Sequence, residues 1–253
     1  MFFRQKKAVI VKMQLLLVLV FLSANAYGQK ITIVTEENPP YNYKVDGEVV
    51  GVSVAVVEAV LKEVDVSATI NSYPWPRAYK MALENENTLI FSISRIPTRE
   101  NSFKWIGEIA PSEFYLFSLR SRKDIEISNL EDAKKYSIGT VKNEASEQFL
   151  TTNGFSNIQS NVSYKSNLKK LLIGRIDLWP MAELVAYEIL KSEGHGSRDI
   201  LKKAYKMEGF SAGNMFMAFS QNTPDKLVEE FREALKTIKT NGIYQKILDR
   251  HLQ

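Results

Sequence analysis

Residues 31–64 read ITIVTEENPPYNYKVDGEVVGVSVAVVEAVLKEV, and the change of period inside this stretch points to the fold class. Ile31 to Thr35 is a short β-rich run that stops at Asn38-Pro39-Pro40, residues that neither continue a strand nor easily start a long helix. Ser53 to Val64 then carries apolar residues at Val54, Val57, Ala59, Val60, Leu61 and Val64, the spacing of a helix, with Ser53 expected as its N-cap. Further along, Ser67 to Tyr73 reads as a second strand broken by Pro74-Trp75-Pro76, Arg77 to Glu86 as a second helix, and Thr88 to Ser94 as a third strand. Strands alternating with helices of this length are βαβ units and predict parallel pairing.

The alternation repeats after an interval. Strands are expected at Tyr136 to Val141, Ile158 to Val162 and Ile176 to Met181, and helices at Glu144 to Thr152, Ser166 to Ile173 and Glu183 to Glu193. Between the two series lie an alternating strand, Phe114 to Arg120, and the polar stretch Ser121 to Ser128. After the second series come a strand at Asn214 to Ser220 and helical segments at Lys226 to Thr240 and Gly242 to Leu252. Two α/β halves therefore follow one another, and the two flanking strands are natural crossings between them. No solenoid period or low-complexity tract is present.

Upstream, Arg4, Lys6, Lys7 and Lys12 precede an apolar run from Met13 to Leu22, followed by Ser23-Ala24-Asn25-Ala26. This is the pattern of a cleaved secretory leader over residues 1–26, with cleavage expected after Ala26 or alternatively Gly28. The run is shorter than the roughly 20 residues of a membrane span. Those 26 residues hold four of the 33 Lys and Arg and none of the 29 Asp and Glu, so the formal charge of +4 belongs to the leader. The remainder is balanced, with bases and acids mixed throughout, which argues against a nucleic-acid partner. There is no cysteine, which excludes disulfides, thiolate metal sites and a cysteine nucleophile. Only His195 and His251 are available for a histidine metal cluster or a Ser-His-Asp triad, so neither a metal nor a cofactor is expected.

The order of motifs resembles the family-3 extracellular solute-binding proteins, the polar amino-acid receptors of ABC transporters. The resemblance rests on Glu37-Asn38-Pro39-Pro40-Tyr41, Gly51-Val52-Ser53-Val54, Arg95-Ile96-Pro97-Thr98-Arg99-Glu100, Ser137-Ile138-Gly139-Thr140-Val141, Leu172-Ile173-Gly174-Arg175-Ile176-Asp177 and Met217-Ala218-Phe219-Ser220. It implies an α/β periplasmic-binding-protein fold of type II, each lobe a mostly parallel sheet flanked by helices, with two crossing strands. Lobe 1 is expected to take residues 27–119 and 220–253, and lobe 2 residues 120–219. A ligand would sit in the cleft and a hinge motion would bury it.

In open α/β sheets ligands lie beyond the carboxyl ends of the strands. Arg99 matches the family arginine that holds a ligand carboxylate, which a planar guanidinium grips through two parallel bonds; alternatively it is an exposed loop arginine pairing with Glu100. Tyr41 and Trp75 follow prolines at strand ends and are expected as aromatic walls, or one of them seals the lobe core. Arg77 could add a second cation. Ser92 and Ser94 fall on one face of the third strand by alternation. The loop Lys142-Asn143-Glu144-Ala145-Ser146 opens a helix whose N–H groups, at Ala145 among them, could meet an anion. The family's ammonium-binding aspartate has no counterpart, since the corresponding place reads Trp179-Pro180-Met181-Ala182-Glu183. Glu183 is the candidate substitute, or a helix-start acid, and Trp179 points to a flatter ligand.

The expected function is capture of a small polar or anionic solute, an amino acid or related compound, by a monomeric periplasmic protein serving an inner-membrane ABC permease, with no catalysis. Two alternatives remain. One is a cyclohexadienyl-dehydratase-like enzyme on the same scaffold with Glu183 as general acid. The other is a free-standing periplasmic sensor.

Overall fold

The structure, a computed structural model, describes residues 30–210 and 213–252; the expected leader and its cleavage site lie outside the described residues. In chain order the first elements are β1 (Thr32–Thr35), a hairpin of β2 (Tyr43–Val45) and β3 (Glu48–Val50), α1 (Val52–Glu63), β4 (Ile70–Ser72), α2 (Trp75–Glu84) and β5 (Thr88–Ile93). β1 runs between β4 and β5 and parallel to both. Strands covered on both faces read as continuous apolar runs, and here the alternate residues divide between two layers. Ile33, Leu89 and Phe91 pack with the valines of α1, whereas Val34, Ile90 and Ile93 pack with Trp75, Ala78 and Ala82 of α2.

Ile90 and Ile93 share a layer although strict alternation would separate them. The cause is a bulge: Phe216 pairs with Ile93 and Met217 with Phe91, leaving Ser92 unmatched at φ 57°. A non-glycine residue in the left-handed region is held there by its surroundings, and bulges of this kind re-aim side chains next to functional sites.

β6 (Phe103–Pro111) completes the first sheet, with β12 (Asn214–Ser220) inserted antiparallel between it and β5, giving the order β4-β1-β5-β12-β6. The second lobe is built on β7 (Phe114–Leu119), flanked antiparallel by β10 (Trp179–Ala182) and β11 (Leu201–Lys206). Beside it β8 (Ile138–Val141) and β9 (Ile158–Asn161) pair in parallel, and β8 meets the approach to β10 at Ile138 and Leu178. Helices α3 (Ala145–Thr152), α4 (Tyr164–Leu172) and α5 (Glu183–Ser192) cover this lobe, while α6 (Asp225–Thr240) and α7 (Ile243–His251) return to α1 of the first.

Several expectations are corrected. The first sheet is mixed rather than mostly parallel, and in the second lobe an antiparallel three-stranded sheet stands beside a parallel pair, because the strands leading to and from the other lobe enter against the direction of their neighbours. β7 belongs to the second sheet and β12 to the first, so by sheet membership the chain leaves the first lobe between β6 and β7 and returns between β11 and β12, instead of at 119/120 and 219/220. These passages are tied together by Ser112 N–H to Gly213 O at 2.7 Å and Met207 N–H to Phe114 O at 3.0 Å. Ser53 is not the N-cap of α1; Gly51 is, at φ 126°, and a Cβ there would lie 2.4 Å from Tyr41 O. That close approach lets Pro40 O and Tyr41 O accept from Val52 and Ser53 N–H at 3.2 and 2.9 Å, so the Pro-Pro-Tyr loop itself closes the helix end. β6 and β11 had no clear signal: β11 is an edge strand carrying Lys202, Lys203 and Lys206, the usual charge on an exposed edge.

Candidate functional site

Groups from both lobes converge beyond the carboxyl ends of β1, β5 and β8. Glu36 directly follows β1 and is only 6 % exposed. Its Oε1 accepts from the Tyr164 hydroxyl of the opposite lobe at 3.0 Å. The Ser92 bulge and Ser94 stand at the end of β5, and the 3₁₀ turn Pro97–Ser102 carries Arg99, which is 1 % exposed. The pairing of Arg99 with Glu100 does not occur, since Glu100 is taken by Arg95 (Nε to Oε2, 2.9 Å).

The Arg99 guanidinium reaches across the cleft. Nη2 donates to Asn143 O at 2.8 Å, Nε to Gln148 Oε1 at 3.1 Å, and Nη1 to Ser94 O at 3.4 Å. Its Cζ lies 5.2 Å from the Trp75 ring and 4.8 Å from that of Tyr79, two rings that stack on each other at 5.4 Å. Cation–π contact of this kind compensates part of the cost of burying the charge. Trp75 Nε1 donates to the same Asn143 carbonyl at 2.9 Å. Asn143 adopts φ 61°, which turns its carbonyl into the cleft, while its N–H is held by Glu147 Oε2 at 2.7 Å.

Glu144 is the N-cap of α3 and is 8 % exposed; its Oε2 accepts from Ser146 N–H at 2.6 Å and also from the Ser146 hydroxyl. The anion position at this helix start is therefore taken by the chain's own carboxylate. Burial, reinforced by the neighbouring Glu144, pushes the Glu36 carboxyl well above the ordinary range against the opposing pull of Tyr164 and Arg99. Burial likewise raises Glu144, opposed chiefly by Arg99, and lowers Arg99.

Between these groups about 10 Å³ remains for the centre of a water-sized molecule, room for one water at most. The cleft is closed. From it a groove of about 790 Å³ opens outward past Glu36, Trp75 and Tyr164, walled by Pro39, Tyr43 and Val162 among others.

Four of the sequence-predicted residues, Trp75, Ser92, Ser94 and Arg99, line the inner cavity together. Ala145 is fully buried behind Glu144. Tyr41 does not reach the cavity: its hydroxyl donates to Pro111 O at 2.7 Å, bracing a passage between lobes, and burial pushes its phenol up to about 12. Arg77 lies over the Tyr73 ring at 4.2 Å. Trp179 is wholly buried in the second lobe, 6.4 Å from the Phe117 ring, with no partner for its indole N–H among the described residues. Glu183 is ion-paired with Lys203 of β11 and lines neither the cavity nor the groove.

Glu36, Glu144, Gln148 and Tyr164 were missed. An acid one step past the first strand, at its carboxyl end, is the signal that would have found Glu36. Glu144 was visible only as part of a backbone anion loop, and nothing in the pattern marks Gln148 or Tyr164. Among the described residues no three His, Asp or Glu side chains gather as metal ligands do.

Comparison with known proteins follows the same architecture. An arginine-binding periplasmic protein of Mannheimia haemolytica is 25 % identical over 243 residues, covering 94 % of this chain and 98 % of that protein. A histidine kinase sensor domain with similarity to periplasmic binding proteins superposes with a TM-score of 0.77 at 16 % identity, over 88 % of this chain and 96 % of its own. An ancestral arginine-binding protein bound to arginine gives a TM-score of 0.74 at 18 % identity, over 88 % and 98 %. These structural likenesses establish a two-lobed fold of the periplasmic-binding-protein type. Residues 31–253 match the bacterial extracellular solute-binding proteins, family 3, and the chain belongs to that family.

Proposed function

We propose that this protein captures a small polar or anionic solute, an amino acid or a related compound, between its lobes and delivers it to an ABC-type permease. It would act as a monomer in the periplasm after removal of the leader, and carry out no reaction of its own. The observation that carries the reading is the meeting of Arg99, Glu36 and Trp75 from one lobe with Asn143, Glu144, Gln148 and Tyr164 from the other around one buried cavity. Each of these cross-cleft bonds can be exchanged for a bond to a solute, so solute binding and lobe closure become one event. The arginine-binding relative supports an amino-acid-like solute.

The dehydratase alternative assigned its general acid to Glu183, whose carboxylate is engaged by Lys203 outside the cleft. A sensor role draws support from the likeness to a kinase sensor domain, a fold-level analogy. A thermal-shift screen of amino acids, amines, small carboxylates and short peptides tests the main reading, since a ligand at a hundredfold excess over Kd stabilises by about 2.7 kcal/mol. At least one compound is expected to raise Tm. If none does, after removal of any carried-over solute, the receptor reading fails.

A further inference from the structure

The inner cavity holds more acids than bases. Its wall carries two carboxyl groups, Glu36 and Glu144, and a single guanidinium, Arg99; the remaining lining residues are neutral. We propose that Glu144 selects against solutes that bear a carboxylate, so that the preferred solute is a small amine or guanidine without one. This rests on the solute-receptor reading above and narrows it.

A carboxylate needs donors, and several of those at hand are already engaged. The N–H of Ser146 at the start of α3 is held by Glu144. Arg99 donates through all three of its nitrogens. Parting of the lobes would release Arg99 from Asn143 and Gln148, which lie across the cleft. The bonds between Glu144 and Ser146 are two residues apart in one helix start and would persist. A solute carboxylate drawn to Arg99 would then face Glu144 and add a third carboxyl group around one cation in a site shut off from water, where unpaired charge is most costly.

A cation meets the opposite conditions. The Glu36 carboxylate accepts one hydrogen bond from a side chain, that of Tyr164. Independently of the acids, Ser92 is 4 % exposed and lines the same cavity, and its hydroxyl has no hydrogen-bond partner among the described residues, so its oxygen can accept from a ligand N–H. The bulge that holds Ser92 at φ 57° is the kind of strain that persists where a position is functionally constrained. Burial pushes both Glu36 and Glu144 upward, with Glu144 adding to the push at Glu36.

The test uses pairs that differ by one carboxylate: agmatine and L-arginine, cadaverine and L-lysine, tyramine and L-tyrosine. Calorimetry near neutral pH on the purified protein, freed of carried-over solute, is expected to show the amine binding at least about tenfold tighter in every pair that binds, a difference of about 1.4 kcal/mol. Glu144→Gln, which keeps the shape, should shrink or invert that ratio. Glu144→Ser, which still caps the helix, should do the same and covers the case in which the first variant folds poorly. The proposal is overturned if the amino acid is the tighter member of any pair, if both variants leave the ratio unchanged, or if no pair binds while another solute of the broader screen does. Absence of binding by every compound in that screen overturns the receptor reading as well.

Discussion

Glu144 and Glu183 occupy matching local positions in the second lobe, each an acid where a helix begins. Glu144 caps α3, and Glu183 is the first residue of α5. Both gain from the helix dipole. Their surroundings then diverge: Glu144 is buried against the cleft with Arg99 as the nearest opposing charge, whereas the Glu183 side chain is 26 % exposed and bridges to Lys203 on an edge strand. Local pattern assigns both the same role, and the element lying opposite decides which of them becomes part of a site. The comparison can be broken or sharpened from either side.

The strongest perturbation is at Arg99. Lysine in its place keeps a charge but loses the fork, and with it at least two of the three bonds that join Ser94, Asn143 and Gln148. With charge-assisted bonds contributing about 1.5–3 kcal/mol each, Arg99→Lys is expected to lower stability by about 3 kcal/mol and to impair solute binding. Urea unfolding of the ligand-free protein reads the first effect. Wild-type stability in this variant would show that the cross-cleft bonds of Arg99 are not formed in solution.

Glu36→Gln removes one of the two buried carboxylates and gives a pH signature. The folded protein holds the Glu36 proton more tightly than the unfolded chain does, because burial and Glu144 raise its pKa. Stability contributed by this group is therefore greatest in acid and declines as pH rises from the ordinary carboxylate range toward the raised value. Glu144, shifted the same way, adds to the decline. The variant should be the more stable protein at neutral pH by on the order of 1–2 kcal/mol, with the difference vanishing in acid. Denaturation curves across pH check this, and an advantage that grows toward low pH would refute the assignment.

Tyr164→Phe is a smaller change to the same contact. Loss of the 3.0 Å bond to Glu36 should cost about 1 kcal/mol, and because that bond draws the Glu36 pKa down, its removal should steepen the decline with pH. An unchanged pH profile would detach Tyr164 from Glu36.

How much of this was legible in the sequence follows from the same contrast. The βαβ order, most strand positions and the Trp75 and serine positions could be read, since they depend on period and on the rule that sites lie at strand ends, whereas Arg99 was reached through the family resemblance of its flanking motif. Which sheet β7 and β12 join could not, because a strand between two halves shows the same alternation whichever partner it takes. Trp179 was placed in the site as part of the stretch before Glu183, but its side chain faces Phe117 in the lobe core. Tyr164 enters the cleft from the first turn of α4, which begins two residues before the helix expected from Ser166. The bulge at Ser92 is invisible in a string of letters, and it keeps Ser92 and Ser94 in one cavity wall although the alternation that predicted this is broken between them.

Glu183→Gln is the control on the other side. The residue keeps its backbone bond, N–H to Glu113 O at 2.9 Å, whatever its side chain carries. What it loses is a partly solvated ion pair with Lys203, whose own side chain is 37 % exposed, and the attraction of a charge to the start of α5. Pairs of that kind contribute roughly 0–1 kcal/mol and a helix-start charge about 0.3–1 kcal/mol, both reduced by salt. The expected fall in stability is under about 1 kcal/mol, smaller again at high ionic strength, with the relative affinities of the amine and amino-acid pairs untouched. A change in those relative affinities, selective for the free amine, would reinstate Glu183 as the acid that meets the solute and would remove the basis for distinguishing it from Glu144.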